Sequence, residues 1–160
     1  MEVGIMRFYQ TLAATLSWPL VFVSIAALAQ PQLPPPGNYT LYGTISIYSA
    51  GILAAPCDTA AHVDITDSQS GTLNALGFSG SSICVDRSVL STPNTLTKTN
   101  NTVTLKGLSI STSIGDCTGD LDGSLTISGG VTQIVYTQAD STLSGGLFGL
   151  GCAIEGHLDF

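Results

Sequence analysis

Positive charge is scarce in this chain, whose 160 residues carry four Lys and Arg against eleven Asp and Glu, a net charge of -7. Such a surface has no means of neutralising a run of phosphates, which argues against nucleic acid as a partner and leaves no polybasic segment. Tryptophan occurs once, methionine twice, and aromatic residues make up 7%. Those numbers are too small to line a deep aromatic pocket. No nucleophile elbow, phosphate loop or cofactor-binding loop is written in the sequence, so no cofactor is expected. What is plentiful is Ser, Thr and Gly, with 18 glycines. That is the composition of a plain, repetitive extracellular β protein.

The beginning of the chain carries an address. After Arg7, the stretch from Phe8 to Leu28 holds no charge and closes on Ala27-Leu28-Ala29. A cationic start, an apolar middle and a small-x-small exit predict a signal peptide over residues 1–29, cleaved after Ala29. Glu2 suits the cationic region badly and makes Met6 an alternative start. A transmembrane helix is the competing reading, because the run approaches the roughly 18 to 20 residues of a span. Trp18-Pro19 inside it, and the lack of Lys or Arg just after it, argue against a stop-transfer anchor. The expected product is secreted or held at the cell surface, with no stable transmembrane segment after processing. It keeps Arg87, Lys98 and Lys106 as its cations against ten acids.

Residues 30–37, QPQLPPPG, read as a stiff proline-rich spacer, since proline brings no amide to a ladder. Residues 38–160 read as a single all-β domain. YTLYGTISIY alternates Leu41, Ile45 and Ile47 with polar residues, and Gly43 interrupts it as a candidate bulge. HVDIT, GTLNALGFSG, NTVTLKGLSIS, GSLTISG, TQIVYT and STLSGGLFG follow as further strands, separated by turn residues. No segment shows a helix face. Many short strands predict a small antiparallel β-sandwich or a partly open barrel.

Four cysteines in a short exported chain favour two disulfides, which stabilise the fold. Residues 57–84 and 117–152 resemble an internal duplication: each unit opens on Cys and an alternating strand, and each returns through a Gly-Phe-Gly-like stretch to a second Cys. The simplest pairing on that pattern is Cys57 with Cys84 and Cys117 with Cys152. Crossed pairings stay open, including Cys57 with Cys152.

Candidate chemistry is thin. PCDTAAHVDI and GCAIEGHLDF both place a cysteine five residues before a histidine, so Cys57, His62, Cys152 and His157 supply four ligand types on paper. Oxidised cysteines cannot serve as thiolate ligands, which favours reading His62 and His157 as strand residues. Asp116, Asp120 and Asp122 in GDCTGDLDGS form an oxygen-rich stretch suited to calcium, but its spacing departs from the twelve-residue calcium loop. Asp86, Asp140, Glu155 and Asp159 are candidate carboxylates for glycoside hydrolysis, without the aromatic set such a site uses. Asn38 and Asn100 open glycosylation triplets. Lys98 and Lys106 read as solubilising charges beside an exposed turn.

The segments LGFSGSSIC, VTLKGLSIS, GDCTGDLDGSLTISGG and GCAIEGHLDF together resemble the small exported bacterial proteins known as activators of alkane oxidation, the PraB type. The resemblance spans about Gly51 to Phe160. It implies a surface-associated protein linked to growth on poorly soluble hydrocarbons, or to adhesion and biofilm, with Cys57, Cys84, Cys117 and Cys152 as its framework. No catalytic residue can be carried over. The resulting expectation is a non-enzymatic secreted or bacterial cell-surface module meeting a hydrophobic surface or a matrix or cell-surface protein, self-association being another outlet. The alternatives are a fibre subunit assembling by strand addition and a small secreted hydrolase.

Overall fold

The computed structural model describes residues 30–49, 52–53, 56–112 and 115–160. The expected leader and its cleavage point lie outside the described residues. Eleven strands are described: β1 (Gly37–Ser49), β2 (Ile52–Leu53), β3 (Cys57–Asp67), β4 (Ser70–Ser79), β5 (Ser88–Val89), β6 (Asn94–Thr99), β7 (Thr102–Ser111), β8 (Cys117–Ser128), β9 (Val131–Tyr136), β10 (Thr142–Gly145) and β11 (Cys152–Asp159). A single helical turn, α1 (Ser82–Val85), and a 3-10 turn at Leu147–Gly149 complete them.

Eight strands form an antiparallel meander, β1-β3-β4-β6-β7-β8-β9-β11, and β11 pairs back onto β1. The all-β, disulfide-stabilised fold is therefore a closed barrel, and closure removes the free edges a partly open barrel would leave. The seam depends on Gly43 and Gly156. A Cβ on Gly43 would fall inside the His157 carbonyl, and one on Gly156, which sits at φ +139°, inside that of Thr44. Gly43 is not the bulge its position in the sequence suggests, because both its ladders run through it in register. It takes the inward position between Leu41 and Ile45 so that β1 and β11 can approach closely.

A bulge does fall in β7. The inward set there is Val103, Leu105, Leu108 and Ile110, so Lys106 and Gly107 both stay outside and the ladder with β8 shifts register. Gly107 supplies the positive φ, +64°, that such a bulge takes. β4 shifts register against β3 in the same way, at the exposed pair Asn74 and Ala75, whereas β3 itself alternates regularly: Cys57, Thr59, Ala61, Val63 and Ile65 point inward, and Asp58, His62 and Asp64 outward. The inward residues fill the barrel. Gly123 leaves room for Tyr136, which is wholly buried, and burial pushes its phenol pKa upward. An enclosed apolar space of about 20 Å³ remains, far below the roughly 300 to 1,000 Å³ of a ligand pocket.

Two strands are each built in two pieces. β5 stands beside the far end of β7, where β6 has not yet begun, and β10 lies between β8 and β11, where β9 has ended. STLSGGLFG, expected as one strand, therefore stops at Gly145 and turns, because its glycines adopt positive φ. The proline-rich stretch is docked against the barrel: Leu33 is 5% exposed and belongs to the core cluster. Tyr39 donates to the Pro35 carbonyl at 2.7 Å and meets Phe160 edge-on, with ring centroids 6.0 Å apart.

Candidate functional site

An antiparallel meander sends alternate connections to opposite ends of the barrel. At the end where β1 begins, the connections are two-residue turns: Ser68-Gln69, Asn100-Asn101 and Gly129-Gly130. At the opposite end they are long: residues 50–56, 80–93, 112–116 and 137–151. Both disulfides lie at this second end. Cys57 at the start of β3 is bridged to Cys84 in α1, and Cys117 at the start of β8 to Cys152 at the start of β11, with Cα separations of 5.5 and 5.9 Å. Arg87 is buried beside the first bridge, its Nη1 3.0 Å from Cys57 Sγ, and loss of solvent lowers its pKa.

The same end gathers apolar surface. Ile52, Ile83, Val85, Leu90, Phe148 and Leu150 are all exposed on its connections, Phe148 at 88%. Ile127 and Val131 are exposed at the opposite end, and Tyr42 on the wall. Single exposed apolar residues are ordinary, but six described ones on the connections of one end make that end the candidate contact surface. The sequence carried a signal for it in GGLFGLG, where apolar residues lie among glycines that cannot hold a strand.

The barrel wall is polar, and its carboxylates are separately engaged. Glu155 accepts from Gln138 Nε2 at 2.6 Å and from Tyr48 Oη at 2.9 Å, which lowers its pKa and raises that of Tyr48. Gln133 Nε2 donates to Asp159 at 2.8 Å. Glu155 and Asp159 lie four residues apart on β11, about 13 Å by strand rise, beyond the spacing of a glycosidase pair. Asp86 follows α1, and Asp140 accepts from Thr137 in a turn.

The metal candidates are spread out as well. His62 lies opposite Thr40 and His157 opposite Thr44, on either side of β1. Four residues along the strand and two strand spacings across put them about 16 Å apart. His62 Nδ1 is 3.0 Å from Thr40 Oγ1, and His157 Nε2 is 3.9 Å from Asp159. Asp116 accepts from Ser111, Asp122 from Thr104, and Asp120 from Lys106 Nζ at 2.7 Å and the Gly107 amide at 2.9 Å. Asp120 is thus a clamp on the β7 bulge, and Lys106 is engaged on the wall instead of standing free beside a turn. Among the described residues no three His, Cys, Asp or Glu side chains converge on one point.

The exposed Asn38 is the second residue of β1, and Asn100 occupies the β6–β7 turn at φ +55°. No described helix is long and apolar enough to cross a membrane. Compared with known proteins, the chain matches the family described as alkane oxidation protein activator PraA/PraB-like over residues 6–160. No curated protein and no solved structure matches it.

Proposed function

The chain belongs to the alkane oxidation protein activator PraA/PraB-like family, and from that premise we propose that it is a non-enzymatic, exported module of the PraB type. It works at a bacterial cell surface or in the surrounding matrix, where it supports attachment and contact with poorly soluble hydrocarbons. The observation that carries this reading is the segregation of exposed apolar side chains to the disulfide-stapled end of the barrel. Burying apolar area is favourable by about 25 cal/mol per Å², so loops of this kind adhere without any reaction chemistry. The filled interior supports external contact over capture of a hydrocarbon inside the barrel. Strand addition into a fibre is less well supported, because β1 is already paired on both edges within its own chain.

A deletion strain and its complemented form test the proposal, compared for attachment to glass and alkane droplets and for growth on an alkane and on a soluble carbon source. Loss of droplet attachment or of alkane growth, restored on complementation, is expected. Equal attachment and equal alkane growth in both strains would refute the function.

A further inference from the structure

Phe148 stands in the left-handed region, at φ +56°, and is the most exposed of the large apolar side chains. A bulky side chain crowds its own backbone in that region, and a phenyl ring in water is unfavourable. Core packing offsets neither cost, since the ring takes no part in the core cluster. The loop around it is nevertheless built to hold it there. The Gly151 amide donates to the Gly145 carbonyl at 2.7 Å and closes the loop, the Gly149 amide donates to the Gly146 carbonyl at 3.2 Å, and the Gly146 amide donates to the Asp116 carbonyl at 2.8 Å. Cys152 then fastens the loop's exit to Cys117. Gly145, at φ +99°, runs so close to the Asp116 carbonyl that a Cβ has no room. Leu150, also exposed, leaves the same loop. The two side chains are thus presented on a backbone ordered before any contact is made.

We propose that residues 145–151 form an insertion anchor for an uncharged hydrocarbon phase, with Phe148 and Leu150 passing from water into the oil. The inference rests on the hydrophobic-contact reading above and assigns that contact to one loop and one class of partner. Composition identifies the partner. Protein interfaces favour Tyr, Trp, Phe, Met and Arg within a hydrogen-bonding rim, and of these only one phenyl ring stands among the described exposed apolar side chains of this end, the other five being aliphatic. Anionic lipid calls for clustered Lys and Arg. The one cation at this end, Arg87, is buried, Lys98 lies by the opposite end, Lys106 is held by Asp120, and Asp86 and Asp116 are exposed. An uncharged liquid asks for neither hydrogen bonds nor cations.

The experiment measures adsorption of the purified, folded protein to hexadecane droplets, to phosphatidylcholine vesicles and to phosphatidylglycerol vesicles. Phe148→Ser is expected to weaken droplet adsorption about ten-fold or more, and Phe148→Ser with Leu150→Ser further. The pair Ile127→Ser and Val131→Ser, at the opposite end, is expected to leave it unchanged. Dichroism and the unfolding midpoint establish that each variant is folded. The sequence has a single tryptophan, Trp18, within the expected leader, so in the protein beginning at Gln30 a Phe148→Trp substitution reports on the loop, and its emission is expected to shift to the blue on adding droplets. Undiminished adsorption of the loop variants, or adsorption with no blue shift, sinks the anchor while hydrophobic contact stands. Tighter binding to phosphatidylglycerol than to hexadecane overturns the uncharged partner. A wild-type protein that ignores hexadecane defeats the anchor and the contact reading together.

Discussion

Tyr136 owes its place in the barrel to Gly123: a methyl group on Gly123 would stand 2.8 Å from the ring's Cε1 and 2.7 Å from Ile134 Cγ2. Neither neighbour can retreat, because both side chains are fully buried. Gly123 does not have a positive φ, so alanine suits the backbone and the penalty is purely steric. Gly123→Ala is expected to destabilise the fold by about 1 to 3 kcal/mol, seen as a lower urea midpoint with an unchanged slope. Adding Tyr136→Leu should recover part of that loss, since the two positions share one space. Full additivity of the two changes would show that the ring is not what the methyl group meets.

Asp120 gives the fold a pH dependence. The hydrogen bond from Lys106, with that of the Gly107 amide, holds its carboxyl below the usual range, while Asp120 raises the Lys106 pKa. A depressed carboxyl contributes stability above its unfolded pKa, about 3.9, and loses it as pH falls through the folded value. A raised ammonium contributes below its unfolded pKa, about 10.4, and loses it as pH rises through the folded value. Both groups are exposed, so the effect is small and sensitive to salt. Wild type is expected to exceed Asp120→Asn in stability at neutral pH, with the gap closing in strong acid and again in strong alkali. Chemical denaturation at several pH values measures it, and a gap that persists at pH 2 contradicts the assignment.

The bridges close the long-loop end of the barrel: one holds α1 to the start of β3, and the other ties the start of β8 to the start of β11. Non-reducing peptide mapping of the native protein is expected to recover Cys57 with Cys84 and Cys117 with Cys152. A Cys57–Cys152 peptide would displace that pairing. Replacing Cys117 and Cys152 by Ser is expected to cost about 2 to 4 kcal/mol. It should also open residues 145–151 to proteolysis ahead of the barrel strands, since the loop's exit is then untied.

The fold was legible where burial obeys a period of two. The alternation of β3 and the inward Leu41, Ile45 and Ile47 of β1 mark strands without help from the rest of the chain. Closure was not legible, because it depends on Gly43 and Gly156 reaching each other's strand across more than a hundred residues, and a glycine in a strand reads equally as a bulge. The β7 bulge hides in the same way: Leu105 and Leu108 look like a lapse in alternation until Gly107 supplies the turn and Asp120 the clamp. At the candidate surface the cysteines were visible, but the gathering of Ile52, Ile83, Val85 and Phe148 was not. Their common location comes from the direction in which each strand runs.

The paired Cys-x4-His motifs invite a metal, and the barrel gives reasons to expect none of its effects. His62 and His157 point outward on different strands, about 16 Å apart, whereas a zinc site gathers ligands within about 2.0 to 2.3 Å of one ion. The cysteine of each motif is already bridged, Cys57 to Cys84 and Cys152 to Cys117, so neither offers a thiolate. What each histidine does have is a neighbour on the wall, Thr40 for His62 and Asp159 for His157, and glutamine at either position keeps a polar side chain there. His62→Gln with His157→Gln is therefore expected to secrete normally, to unfold within about 0.5 kcal/mol of wild type, and to attach to droplets equally well. Added zinc is expected to leave the melting temperature of either protein where it was. Loss of attachment in the folded, secreted double variant, or a zinc-dependent rise in melting temperature that the variant lacks, would return these histidines to the functional surface.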